Sequence, residues 1–126
     1  MSILVVAQCL EEIVTRRDDM DVNVYEQSTV QIWVSIGRLC RSLLQQADVT
    51  AEAVKGIGFD TTCSLAVVAK QGETVSVTRN DHSIGKEKND IVLWCDHRAV
   101  EEANLINASK SPALAFMGGS VCLFLS

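Results

Sequence analysis

The sequence predicts an α/β domain, and three observations carry that expectation. A long apolar stripe at helical spacing begins near Ser28. A continuous apolar run bounded by charge, "DIVLWCD", follows much later, and such runs fit a strand buried on both faces. Between and after them the segments alternate in the order helix, strand, strand, strand, helix, which points to helices flanking a sheet. The second and third segments are two runs joined by a short turn, so the sheet is expected to be mixed.

Residues 2–16 are ambiguous. Ile3, Leu4, Val5 and Val6 suggest a buried strand, whereas Leu10, Ile13 and Val14 continue a helical stripe. The helix is the favoured reading, with "TRRDDMD" (Thr15–Asp21) as a solvated turn. Ser28 with Gln31 three positions on forms a capping-box pattern. Behind it Ile32, Trp33, Ile36, Leu39, Cys40, Leu43, Leu44 and Ala47 make one stripe, with Trp33 expected in the core. "ADVTAEAVKGIGFD" reads as a turn, a short helical piece and a strand over Lys55–Asp60. Gly56 and Gly58 on one face of that strand suit a close backbone approach. "LAVVAK" is a second strand, hairpinned with the first. "QGETV" is a hairpin turn with Gly72 suited to positive φ. Thr78–Asn89 is an exposed loop. After the third strand, "HRAVEEANLINAS" reads as a helix with Asp96 or His97 at its start and Pro112 beyond its end.

Composition narrows the functions. The 126 residues fit one small domain or part of a larger one. A net charge of −5 gives no basic face for nucleic acid and disfavours an anionic membrane surface. The opening "MSILVVAQCLEEIV" has no basic flank and too short an apolar run to span a bilayer. Five cysteines at wide spacings, with no CxxC, read as reduced thiols and imply a cytoplasmic location.

Two polar-tipped segments stand out, "GIGFDTTCS" and "IVLWCDHR", and both suit the rim of one cleft. Cys95 and His97 lack the third member that a thiol nucleophile needs. Cys63, His82, Cys95 and His97 match no standard zinc spacing. "DTTCS" has no glycine, so it makes a poor phosphate cradle. A polyol site fits better. Asp60, Thr62, Ser64, Asp96, His97 and Arg98 offer paired donors and acceptors, and Trp94 offers a flat apolar face. A purely structural account stays open beside it, with Asp96 capping the helix, Arg98 paired to Glu101 or Glu102, and Trp94 in the core.

Three stretches resemble the FGGY family of carbohydrate kinases, in its D-ribulokinase-like branch: "YEQSTVQIW" (Tyr25–Trp33), "KGIGFDTTCSL" (Lys55–Leu65) and "IVLWCDHRAVEEANLIN" (Ile91–Asn107). The likeness extends over about residues 22–119, with atypical ends at 1–21 and 120–126. It implies part of an actin-like, ribonuclease-H-like N-terminal lobe, and a pentulose pocket lined by Thr62, Cys63, Ser64, Trp94 and Asp96. Trp94 would contact the sugar with Cys63 packed against it, and Asp96 and Arg98 would orient hydroxyls or fix the pocket. Full-length members use ATP and Mg. This sequence contains no Asp-x-Gly-Thr phosphate loop, and the family's catalytic Asp and nucleotide domain lie further downstream than these residues reach. No cofactor and no phosphoryl transfer are therefore expected of the chain alone. Its expected partners are a weakly bound sugar and, as a second possibility, the full-length kinase.

Overall fold

A computed structural model describes residues 4–81, 83–85 and 88–122. Four short strands form one sheet: β1 (Arg16–Arg17), β2 (Tyr25–Gln27), β3 (Leu65–Ala66) and β4 (Ile91–Val92). Their spatial order is β1-β2-β4-β3. Every pairing is antiparallel, which corrects the expected mixed sheet. Helices α1 (Thr29–Ala47) and α2 (Val100–Ala108) complete the α/β arrangement, with single 3-10 turns at Ala51–Ala53 and Pro112–Met117.

The N-terminal segment is not helical. Residues 4–15 run without regular structure, and β-branched Val5, Val6, Ile13, Val14 and Thr15 are poor helix formers. Polar links hold the segment along α1. Cys9 Sγ donates to Ser42 Oγ at 3.3 Å, Gln46 Nε2 donates to Cys9 Sγ at 2.9 Å, and Arg38 meets Glu11 at 3.0 Å. Within the stretch read as a solvated turn, Arg16 and Arg17 instead form β1. Arg16 sits directly opposite Glu26, and Arg17 opposite Tyr25. The Arg17 guanidinium lies 3.7 Å from the Tyr25 ring centroid, a cation–π contact.

Helix α1 starts where its pattern predicts, but its cap is different. Ser28 occupies the capping position, yet its hydroxyl makes no capping bond and is buried without a partner among the described residues. Asp90 performs the task from across the fold. Its Oδ1 accepts from the Thr29 backbone N–H at 2.8 Å, and its Oδ2 accepts from Thr29 Oγ1 at 2.6 Å. At the other end Asp48 adopts the left-handed conformation, φ 51°, and its N–H returns to the helix carbonyls.

Trp33 is exposed rather than in the core. A 19-residue helix spans roughly 28 Å, far longer than the strands of two or three residues. Ile32, Ile36, Leu39, Leu43 and Leu44 are half-buried, and Trp33 and Cys40 face outward. Val24, Ile91, Ala103 and Leu114 form the buried apolar centre.

The expected strand over Lys55–Asp60 is absent, and so is its hairpin with residues 65–70. No described segment runs beside 55–60 to receive its backbone hydrogen bonds. Gly56 and Gly58 approach nothing: a Cβ at either would meet no atom within 4 Å. The second expected strand shrinks to Leu65–Ala66, and β3 pairs with β4 instead. The turn at Gly72 holds. Its φ is 84°, Gly72 N donates to Ala69 O, and Val68 bridges Thr74. Residues 78–81 and 83–85 follow as a loop, with one bridge between Val75 and Ile84.

The third strand ends early. After Val92 the chain turns at Trp94 and Cys95 and does not continue to Asp96. Helix α2 begins at Val100, capped by Ala99 without a side-chain bond. Neither Asp96 nor His97 is its cap, because the Asp96 carboxylate is engaged elsewhere and the His97 N–H donates to Asn23 O at 2.9 Å. Pro112 lies beyond α2, as its fixed φ and missing N–H require.

Candidate functional site

Antiparallel pairing decides what meets what. Leu65 of β3 lies opposite Val92 of β4. The chain enters β3 from "DTTCS" and leaves β4 into "LWCDHR", so both polar stretches lie at one end of the sheet. The alternation of directions brings them there, rather than two parallel carboxyl ends.

On the β3 side, Asp60, Thr62 and Cys63 are exposed and Ser64 is half-buried. Thr62 Oγ1 and Ser64 Oγ are 3.2 Å apart, and the Ser64 N–H donates to Thr62 O at 2.8 Å, which closes a tight local turn. The two hydroxyls face solvent as a pair. On the β4 side, Trp94 is 42% exposed at the crest of its turn. It therefore lies outside the core, which removes the structural account of that residue. Cys95 is half-buried.

Asp96 and Arg98 belong to a network that reaches into the sheet. Asp96 Oδ2 accepts from the Tyr25 N–H at 2.8 Å, and Oδ1 accepts from the Arg98 N–H at 3.0 Å. The Arg98 guanidinium grips the same carboxylate through Nε at 2.9 Å and Nη2 at 2.6 Å. Nη1 donates to Val77 O at 3.0 Å, and Nη2 also reaches Glu26 Oε1 at 3.0 Å. Glu26 is completely buried, and its other oxygen takes Arg16 Nη1 at 3.0 Å and Thr78 Oγ1 at 2.8 Å. Arg98 thus pairs with Asp96 and Glu26, not with Glu101 or Glu102.

Burial works to raise the Asp96 carboxyl, but the Arg98 guanidinium and the N–H groups of Tyr25 and Arg98 outweigh it and hold the group below its ordinary range. The hydrogen bond to Asp96 leads the effects that raise Arg98, against the cost of burying it. With both Asp96 oxygens occupied, the carboxylate can orient the turn that carries Trp94 but has little capacity left for a ligand.

Seven of the residues singled out in the sequence therefore divide. Trp94, Asp60, Thr62, Cys63 and Ser64 present accessible groups at one sheet end. Asp96 and Arg98 fix the strand exit beneath them. No described hydrogen bond or ion pair joins residues 60–64 to Trp94, Cys95, Asp96 or Arg98. Three grooves, of about 470, 720 and 530 Å³, line α1 and its neighbours and do not include these residues. Among the described residues no group of three or more His, Cys, Asp or Glu side chains is placed to hold a metal, and His82 lies outside them. No described helix is long and apolar enough to cross a membrane. Sequence reasoning missed Glu26 and Asp90. Each is a lone carboxylate set against an apolar run, "VYEQ" and "NDIVLW", and that isolation was the available signal.

Accessible hydroxyls and an exposed indole thus lie at one end of a short antiparallel sheet, and comparison with known proteins supplies the class. The chain is homologous to the FGGY carbohydrate kinases. A D-ribulokinase of Saccharomyces cerevisiae is 37% identical over 111 residues, 84% of this chain and 14% of its own length. An FGGY carbohydrate kinase domain-containing protein of Homo sapiens is 35% identical over 77% of the chain, and one of Danio rerio 36% over 78%. The chain spans about one-sixth of the length of the curated relatives it matches, from 14% to 17%. No protein-family model matches it.

Proposed function

We propose that these residues form the sugar-side wall of an FGGY-type N-terminal lobe and carry a weak site for a pentulose such as D-ribulose. The observation that carries this reading is the exposed Trp94 turn at the same sheet end as the Thr62–Ser64 hydroxyl pair, in a chain 37% identical to a D-ribulokinase. A sugar ring offers an apolar C–H face and a rim of hydroxyls. An indole takes the first, and hydroxyl and carboxylate groups take the second. In this reading Trp94 contacts the sugar, Asp60, Thr62 and Ser64 bind its hydroxyls, Cys63 packs beside Trp94, and Asp96 and Arg98 hold the turn in place.

The isolated chain does not transfer phosphate on this account. Phosphoryl transfer rests on positioning and on stabilising the charge of the moving group. The sequence contains no Asp-x-Gly-Thr loop, and the positions after Asp60 are Thr, Thr, Cys and Ser, with no glycine to let backbone N–H groups converge. ATP and Mg would be held by parts of the relatives' length to which these residues do not correspond. Two assays test the reading. Titration calorimetry should give heat with D-ribulose that Trp94→Ala abolishes, and no heat at millimolar sugar would remove the binding claim. A coupled assay with ATP and D-ribulose should release no ADP above background, and steady turnover by the pure chain would refute inactivity.

A second reading, a non-catalytic chain that pairs with a full-length kinase, is favoured by the apolar groove of about 720 Å³ whose lining includes Val6, Leu43, Leu44, Val49 and Val54. Co-purification with the long form would support it, and failure to associate at micromolar concentrations would exclude it.

A further inference from the structure

Side chains of alternating sign join in one series of ion pairs: Asp18 to Arg16 at 3.1 Å, Arg16 to Glu26 at 3.0 Å, Glu26 to Arg98 at 3.0 Å, and Arg98 to Asp96 at 2.6 Å. The series leads from edge strand β1, through β2, to the exit of β4. At that exit the Asp96 N–H donates to Leu93 O at 3.0 Å, which closes the turn that carries Trp94. Tyr25 brackets the turn from β2. Its carbonyl accepts from the Leu93 N–H at 3.0 Å, and its N–H donates to Asp96 Oδ2 at 2.8 Å. The position of the Asp96 carboxylate therefore fixes the position of the indole.

The middle of the series is a competition. Arg98 Nη2 serves both Asp96 Oδ2 and Glu26 Oε1. Glu26 is completely buried, so solvent ions screen its charge little. Arg16 and Arg98 share that charge, one on each oxygen. Without Arg16, Arg98 is the one cation described for Glu26, and the unbalanced carboxylate draws the guanidinium away from Asp96.

We infer that Arg16 is a positioning residue for the Trp94 turn, acting from the sheet edge through Glu26 and Arg98. No described hydrogen bond or ion pair joins it to Trp94 or Asp96. Its effect on sugar affinity rests on the sugar-wall reading, whereas its effect on the turn does not.

Two-dimensional NMR of the full chain without sugar tests the inference. Arg16→Gln removes the charge but keeps a polar side chain. It should move the Trp94 indole N–H, the Asp96 amide and the Arg98 Nε–H, and Arg16→Lys should restore most of each shift. Asp18→Asn, at the part-exposed end, frees Arg16 for Glu26 and should move the same signals in the opposite direction. This second variant decides the matter where Arg16→Gln does not fold. Thr15→Ala breaks the Gln27 Nε2–Thr15 Oγ1 bond at the same edge without touching the charges, and it should leave all three signals in place. In titration calorimetry Arg16→Gln should bind D-ribulose about threefold to tenfold more weakly than wild type. Folded charge variants whose three signals stay at their wild-type positions would overturn the inference, as would equal shifts from Thr15→Ala. Shifted signals with unchanged D-ribulose affinity would overturn the link to the sugar. A wild type that binds no D-ribulose removes the sugar wall instead, and the sugar-free shifts still decide the role of Arg16.

Discussion

Arg98 reaches Glu26 across 72 positions of sequence, its Nη2 donating to Glu26 Oε1 at 3.0 Å while the same guanidinium holds Asp96. The contact ties the strand exit that carries Trp94 to the middle of the sheet. Because Arg16, Thr78 and Tyr25 bind the same two carboxylates, four separate stretches of chain converge on this one cation.

Arg98→Ala should therefore destabilise the fold by about 3–5 kcal/mol in urea unfolding, since it leaves the buried Asp96 carboxylate without its counter-charge and Glu26 with Arg16 alone. Arg98→Lys should recover only part of that loss, because one ammonium cannot reproduce the planar fork that reaches Asp96, Glu26 and Val77 O together. Glu101→Ala should change stability by less than about 0.5 kcal/mol. An equal loss from Glu101→Ala and Arg98→Ala would contradict the assigned pairing.

Capping gives an opposite-sign pair of predictions. Asp90→Ala should cost about 1–2 kcal/mol, because the Thr29 N–H and hydroxyl both lose their acceptor. Ser28→Ala, at the position that a sequence pattern marks as the cap, should be neutral or slightly stabilising, since it removes a buried hydroxyl that has no partner. Thermal melts of the two variants compare them directly.

Acid should weaken the fold through Asp96. Its folded-state pKa lies below the unfolded value. The stability it contributes is thus complete above the ordinary aspartate pKa, near 4, and is lost as pH falls through the folded value. Unfolding midpoints measured from pH 7 down to pH 2.5 should drop below about pH 4. In Asp96→Asn, starting from a lower stability, that acid slope should be shallower.

The sequence and the fold agree where the signal is local. The helix at Thr29–Ala47, the Gly72 turn and the position of Pro112 each depend on neighbours a few residues away. Agreement fails where an element needs a distant partner. "KGIGFD" has strand chemistry, but a strand forms only beside another, and nothing in its own residues says whether one is present. The same holds for the site. Trp94 and the Thr62–Ser64 hydroxyls stand out as candidates by side-chain type alone. The commitment of Asp96 and Arg98 to Glu26 was not, because it depends on β2 lying beside β4, with Glu26 opposite Val92.

The account stands most directly on whether sugar touches both stretches at that sheet end. A two-dimensional NMR titration of the folded chain with D-ribulose measures it. The expected result is that the Asp60–Ser64 amides and the Trp94 indole N–H shift together on one binding curve, while amides along α1 stay fixed. A well-dispersed spectrum in which neither stretch moves at millimolar sugar would contradict the sugar-wall reading.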